Sequence, residues 1–72
     1  MLRMWTIYKH PKDYPKSYVA RLFEVDADGP RPTGSIVVAA TLDRLQYEME
    51  EMGLVKLMRS PEDDPVIVET WL

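Results

Sequence analysis

A single stretch of the sequence has the spacing of an amphipathic helix. Apolar side chains recur there every three or four residues and share one stripe: Leu42, Leu45, Met49 and Met52. Thr41 precedes the stripe as a candidate N-cap, and Gly53 follows it as the left-handed residue of a Schellman-type end. The other apolar runs are rich in β-branched and aromatic residues, which favour strands. One helix and a sheet must therefore supply the core.

Two strand-like runs precede this helix and at least one follows it. Residues 3–8 and 18–25 are joined by a polar connection and most simply pair as antiparallel strands. Residues 66–72 form a terminal strand, and residues 55–59 are either a short strand or an extended edge. The order β-β-α-β predicts one α+β domain over residues 1–72, a two-layer sandwich with a three- or four-stranded, mainly antiparallel sheet.

The segment between the second strand and the helix divides into two parts. Residues 26–34 contain two of the three glycines and two of the six prolines, which predicts an exposed, flexible loop. Residues 35–40, Ser-Ile-Val-Val-Ala-Ala, are ambiguous between an extended lead-in and the first turns of the helix. The β-branched Ile-Val-Val favours the extended form.

Composition excludes several classes of protein. The 72 residues include no cysteine, so disulfides and thiolate metal sites are impossible, and packing or a partner must stabilise so small a core. No apolar run is long enough for a spanning helix and no signal peptide is evident, so we expect a cytoplasmic protein without a membrane partner. The net charge of −3 makes nucleic acid an unlikely ligand, although the chain through Glu24 has five basic and two acidic residues.

One helix can cover only one face of the sheet, yet both faces of the strands carry large apolar groups. In residues 18–25, Val19, Phe23 and Val25 alternate with Tyr18, Ala20 and Leu22. On the last strand, the same alternation predicts Ile67 and Trp71 on one face and residues 66, 68 and 72 on the other. The uncovered face predicts a homodimer or a protein partner, with large aromatic anchors: Trp5, Phe23 and Trp71. Alternatively, residues 26–40 fold over that face.

The connection at residues 9–16 has the richest side-chain chemistry. It contains the only histidine, His10, with Asp13, Tyr14 and three lysines, and Arg59 could contribute from another loop. This set could bind an anion or a small molecule, and His10 beside Asp13 could act as a base. The alternative is structural, because the prolines stiffen the connection and Tyr14 can pack at the edge of the core. No spacing specifies a catalytic site, so an enzyme is the less favoured interpretation.

Two acidic groups have simple structural explanations. Residues 59–65, Arg-Ser-Pro-Glu-Asp-Asp-Pro, fit one short helical turn better than a cation site, so we predict neither a metal nor a cofactor. Glu48, Glu50 and Glu51 near the helix end could dock a basic partner. They are better explained as a solvated face in which Arg44 and Glu48 form an i,i+4 pair.

Two segments resemble parts of short, uncharacterised bacterial proteins. These are residues 8–15, Tyr-Lys-His-Pro-Lys-Asp-Tyr-Pro, and residues 53–71, from Gly-Leu-Val-Lys-Leu to Val-Glu-Thr-Trp. Together they cover over a third of the chain, and the resemblance implies a complete small protein. It implies no activity and no catalytic residue. The Met- and Glu-rich helix end departs from that group.

Overall fold

The computed structural model describes residues 2–57 and 66–72. Within them the chain forms five strands and one helix: β1 (Leu2–Lys9), β2 (Tyr18–Asp26), β3 (Gly29–Ala39), α1 (Leu42–Glu51), β4 (Lys56–Leu57) and β5 (Ile67–Trp71). The strands form one antiparallel sheet in the order β3-β2-β1-β5-β4. The α+β class with a single helix is confirmed. The sheet has five strands where the sequence predicted three or four.

The additional strand is β3, which occupies most of the predicted 26–34 loop. The chain reverses at Asp26–Gly29, where Gly29 has φ 103°, and is extended again from Gly29 onward. Pro30 and Pro32 lie opposite Val25 and Phe23 of β2. Proline is compatible with a strand at the edge of a sheet, where one side needs no ladder hydrogen bond. Composition predicted a loop because it does not reveal which strands become edges.

A bulge in β3 accommodates the second glycine of this segment. The register shifts between Arg21 and Phe23, and Gly34 has φ 86°, a conformation that favours glycine. The Thr33 hydroxyl donates to the carbonyl of Leu22 at 3.1 Å and accepts from the Ser35 amide at 3.2 Å. These bonds replace the ladder locally and allow pairing to resume at Ile36.

The helix begins and ends as its sequence predicts. The Thr41 hydroxyl accepts a hydrogen bond from the Arg44 amide at 3.3 Å. At the other end, the amide of Leu54 donates to Met49 O at 3.2 Å and that of Gly53 donates to Glu50 O at 2.9 Å. With φ 76° at Gly53, these two bonds define the Schellman motif.

The core lies between α1 and one face of the sheet. Its buried residues come from the helix and from three strands: Ile7, Ala20, Leu45, Met49 and Trp71. Leu42 packs against them, but Met52, which the sequence placed on the same stripe, is 45% exposed. Met52 is the C-cap, one residue past the end of α1, so the buried stripe is shorter than predicted.

A bulge in β5 changes which side chains face the helix. Tyr8 pairs with Ile67 and Ile7 with Glu69, which leaves Val68 as the extra residue. Ile67 and Trp71 therefore lie on opposite faces, and the prediction that they share one face is wrong. Strict alternation along the sequence cannot anticipate this, because a bulge shifts the alternation by one residue.

Candidate interface on the open sheet face

The face of the sheet opposite α1 is called the open face here. Cross-strand pairing places on it the side chains of Leu2, Met4, Thr6, Tyr8, Val19, Arg21, Phe23, Val25, Pro30, Pro32, Ile36, Val38, Leu57, Ile67 and Thr70. In residues 2–57 and 66–72 the single helix packs on the other face. Val19 and Thr6 are buried among their neighbours, but most of the remaining side chains are apolar and Arg21 is the only charged one in the set. This composition is unusual for a solvated surface.

A shallow groove of about 290 Å³ crosses the middle of the open face. Its lining combines apolar groups with three hydroxyls: Met4, Thr6, Tyr8, Phe23, Pro30, Ile67 and Thr70. Thr6 at its floor is only 5% exposed. The groove gives the open face a concave centre, and exposed apolar side chains stand beside it, including Ile36 and Val38 on β3 and Leu57 on β4.

Arg21 lies on the open face beside the groove, and its side chain is held in place there. Its guanidinium forms an ion pair and hydrogen bond with Asp13, and its Cζ lies 5.7 Å from the centroid of the Tyr8 ring. The hydrogen bond from Arg21 holds the pKa of Asp13 below its ordinary value. The charge of Arg21 is thus neutralised within the chain, which lowers the cost of covering this face.

The residues predicted for a ligand site in the 9–16 loop turn toward different parts of the fold. Asp13 binds Arg21 on the open face, whereas the His10 ring meets Tyr18 edge-on at a centroid distance of 5.3 Å. Tyr18 packs against the core on the helix side of β2. Tyr14 is half-buried and its backbone closes turns within the connection. The structure therefore does not bring His10 and Asp13 to one surface. Arg59 and the 59–65 turn lie outside the described residues.

The three predicted aromatic anchors also separate. Phe23 is half-buried on the open face and lines the groove. Trp71 is 4% exposed in the core and Trp5, its partner in the β1–β5 register, packs against the same cluster. Trp5 and Trp71 are therefore core residues, unable to contact a partner across the open face, because their register positions point toward α1.

Glu69 ties the helix to both C-terminal strands on the core side. Its carboxylate accepts hydrogen bonds from Gln46 Nε2 at 2.8 Å and from Trp71 Nε1 at 3.2 Å. Lys56 Nζ lies 3.6 Å away, and the Glu69 side chain is only 11% exposed. The role of Glu69 could not be predicted from the sequence, because a glutamate in a strand does not reveal which donors the fold will bring to it.

On the outer surface of α1, Arg44 and Glu48 form the predicted i,i+4 ion pair at 2.9 Å. This confirms the structural explanation for Glu48, while Glu50 and Glu51 are exposed. Within the described ranges, no three His, Cys, Asp or Glu side chains are grouped closely enough to hold a metal ion. The helix that the structure describes is too short and too polar to cross a membrane.

Comparison of the chain with family models, curated proteins and solved structures finds no match. The resemblance to short bacterial proteins is neither supported nor contradicted by this result. The class that the structure defines is a small two-layer α+β sandwich with an open, apolar sheet face. Function must be inferred from that face.

Proposed function

We propose that this protein is a non-enzymatic interaction module that self-associates through the open face. The observation that supports the proposal is the apolar composition of that face, where the one charged side chain, Arg21, is already paired with Asp13. Because Arg21 is paired within its own chain, two copies can bring their open faces together without burying an unpaired charge. Twofold association then buries the same surface on both copies.

The size of the open face suits such a contact. The strands have 8, 9, 11, 2 and 5 residues, and at about 3.3 Å along and 4.8 Å across the sheet for each residue they cover on the order of 550 Å² in projection. The accessible area of a pleated surface exceeds its projection. A standard interface buries about 800 Å² on each partner. The open face is therefore large enough for a small dimer.

Replacement of Phe23 by Asp tests this contact directly. A carboxylate there would be buried without a counter-charge in the dimer but would be hydrated in the monomer, so we expect dissociation. Tyr47→Asp is the matched control, because Tyr47 is an exposed aromatic residue on α1, away from the open face. Sedimentation would show a lower mass for the Phe23 variant alone.

Two results decide the outcome of that comparison. The proposal fails if the Phe23→Asp protein sediments with the wild-type mass. Val25→Lys, also on the open face, provides a second variant in case Phe23→Asp unfolds, which circular dichroism would reveal. Loss of association in Val25→Lys with a native spectrum supports the proposal, and unchanged association contradicts it.

A second candidate function is binding of a small anionic molecule next to the 9–16 loop. The observation that favours it is the position of Arg21, which Asp13 and the Tyr8 ring hold at the edge of the groove. An apolar body would occupy the groove, and a carboxylate would accept from guanidinium N–H groups other than the Nη2 group that donates to Asp13. Titration with benzoate, followed by amide shifts, tests this function. Shifts confined to Tyr8, Arg21 and the groove support it, and their absence contradicts it.

A further inference from the structure

The outer edge of β3 is protected along only half of its length. Residues 29–34 have features that disfavour pairing with another strand: two prolines, a charged side chain and a bulge, at Pro30, Pro32, Arg31 and Gly34. The second half, called the edge segment here, is Ser35–Ala39 with the sequence Ser-Ile-Val-Val-Ala. It contains no charge and no proline, and three of its five residues are β-branched aliphatics. Such a strand edge favours pairing.

The hydrogen-bond pattern shows which backbone groups of the edge segment point outward. In an antiparallel strand, successive residues direct their N–H and C=O groups to opposite sides. Lys9 is an odd-numbered residue of β1, and its amide donates to Val66 O next to β5. The backbone groups of the even-numbered residues of β1 therefore bond to β2. Tyr18, Ala20 and Leu22 then bond to β3, and the bond from Thr33 to Leu22 O agrees with this.

It follows that Val37 and Ala39, the partners of Ala20 and Tyr18, use their backbone groups within the sheet. Ile36 and Val38 direct theirs away from β2. Their side chains are also exposed, at 38% and 41%. The edge segment thus presents outward backbone donors and acceptors at the same two residues whose apolar side chains lie uncovered in the described part of the chain.

From this arrangement we propose that the edge segment pairs in antiparallel fashion with the edge segment of a second copy, centred on Val37. This register sets Ile36 opposite Val38 of the second copy, and the twofold axis repeats that pair. Each pair exchanges two N–H···O bonds between residues that point outward. The Ile36 and Val38 side chains then meet across the strands on the open face, a favourable β-branched contact.

A second copy is the fitting occupant because the register is self-complementary. An edge segment centred on Val37 places the apolar residues 36–38 opposite one another and the uncharged Ser35 opposite Ala39, so it needs no compensating charge. The contact joins two sheets into one continuous sheet and extends the open face from one copy to the other. It uses the edge of the sheet and does not depend on face-to-face packing, so it goes beyond the function proposed above.

Disulfide trapping tests the register, since the chain has no native cysteine. In Val37→Cys the two thiols occupy a pair without hydrogen bonds, with Cα atoms about 4.5 Å apart, a separation that a disulfide spans. Ile36→Cys is the matched control, because its thiol faces Val38 and not itself. We expect Val37→Cys to crosslink readily and Ile36→Cys not to, because the two Ile36 positions are diagonal neighbours about 7–8 Å apart, beyond the usual Cα separation of a disulfide.

Each cysteine variant is then combined with Phe23→Asp, and its crosslinking rate is measured again. This comparison separates edge pairing from association through the open face. Fast crosslinking at Val37 in that background supports edge pairing whether or not the faces associate. If Val37→Cys crosslinks no faster than Ile36→Cys, edge pairing is refuted. That result does not bear on the open-face contact, which the sedimentation of Phe23→Asp tests separately. Should Val37→Cys fold poorly, hydrogen exchange of the wild-type protein serves instead. Protection of the Ile36 and Val38 amides that rises with concentration is expected, and unprotected exchange at all concentrations refutes the pairing.

Discussion

Replacing Glu69 by Ala should destabilise the fold far more than removing a surface charge. The substitution deletes the acceptor for Gln46 Nε2 and Trp71 Nε1. Hydrogen bonds to a charged group contribute about 1.5–3 kcal/mol each, and a buried donor left unpaired costs about 1–3 kcal/mol. Trp71 is 4% exposed, so water cannot readily replace the lost partner of its indole. We expect a loss of about 2–4 kcal/mol.

That loss is large for a chain of this size. A 72-residue domain has a total stability of roughly 4–11 kcal/mol, and each kcal/mol shifts Tm by about 4–8 °C. Urea unfolding followed by tryptophan fluorescence measures the change. Lys56→Ala is the control, because this half-exposed ion-pair partner should contribute under about 1 kcal/mol. A Glu69→Ala loss no larger than that of Lys56→Ala would refute the assigned role of the carboxylate.

Three further predictions concern caps and charge. Thr41→Ala should cost about 1 kcal/mol in urea unfolding, with Thr41→Ser nearly neutral, because serine can still accept from the Arg44 amide; equal costs would contradict the cap. Gly53→Ala should cost about 1 kcal/mol through its positive φ alone, since no atom lies within 4 Å of the added Cβ, and a neutral result would contradict the left-handed cap. The pKa of Asp13 is lowered by Arg21, so its contribution to stability is complete above about pH 4 and is lost as pH falls below that value. In acid titration, Asp13→Asn should lack this component; an unchanged profile would refute it.

The elements that local chemistry determines could be predicted from the sequence. The Thr41 cap, the Gly53 end and the Arg44–Glu48 pair depend on residues a few positions apart, and all are present. The alternation in β2 correctly assigns Phe23 and Ala20 to opposite faces. Such features need no knowledge of which strands become neighbours.

Features that depend on strand neighbours could not be predicted in this way. The prolines of β3 predict a loop, because proline is compatible with a strand only at the edge of a sheet and the sequence does not show which strand is at the edge. The bulge at Val68 places Ile67 and Trp71 on opposite faces, whereas alternation along the sequence predicts that they share one face. The role of Arg21 could not be predicted either, because it depends on Asp13, eight residues earlier in the chain and beyond the connection between β1 and β2.

Sedimentation equilibrium of the wild-type protein at micromolar concentration tests self-association most directly. The chain has a mass of 8.4 kDa. The open face and the edge segment both predict an assembly of at least two copies, with a mass that falls toward one copy on dilution. A single monomeric mass across the whole concentration range would contradict the proposal that this fold serves to associate with itself.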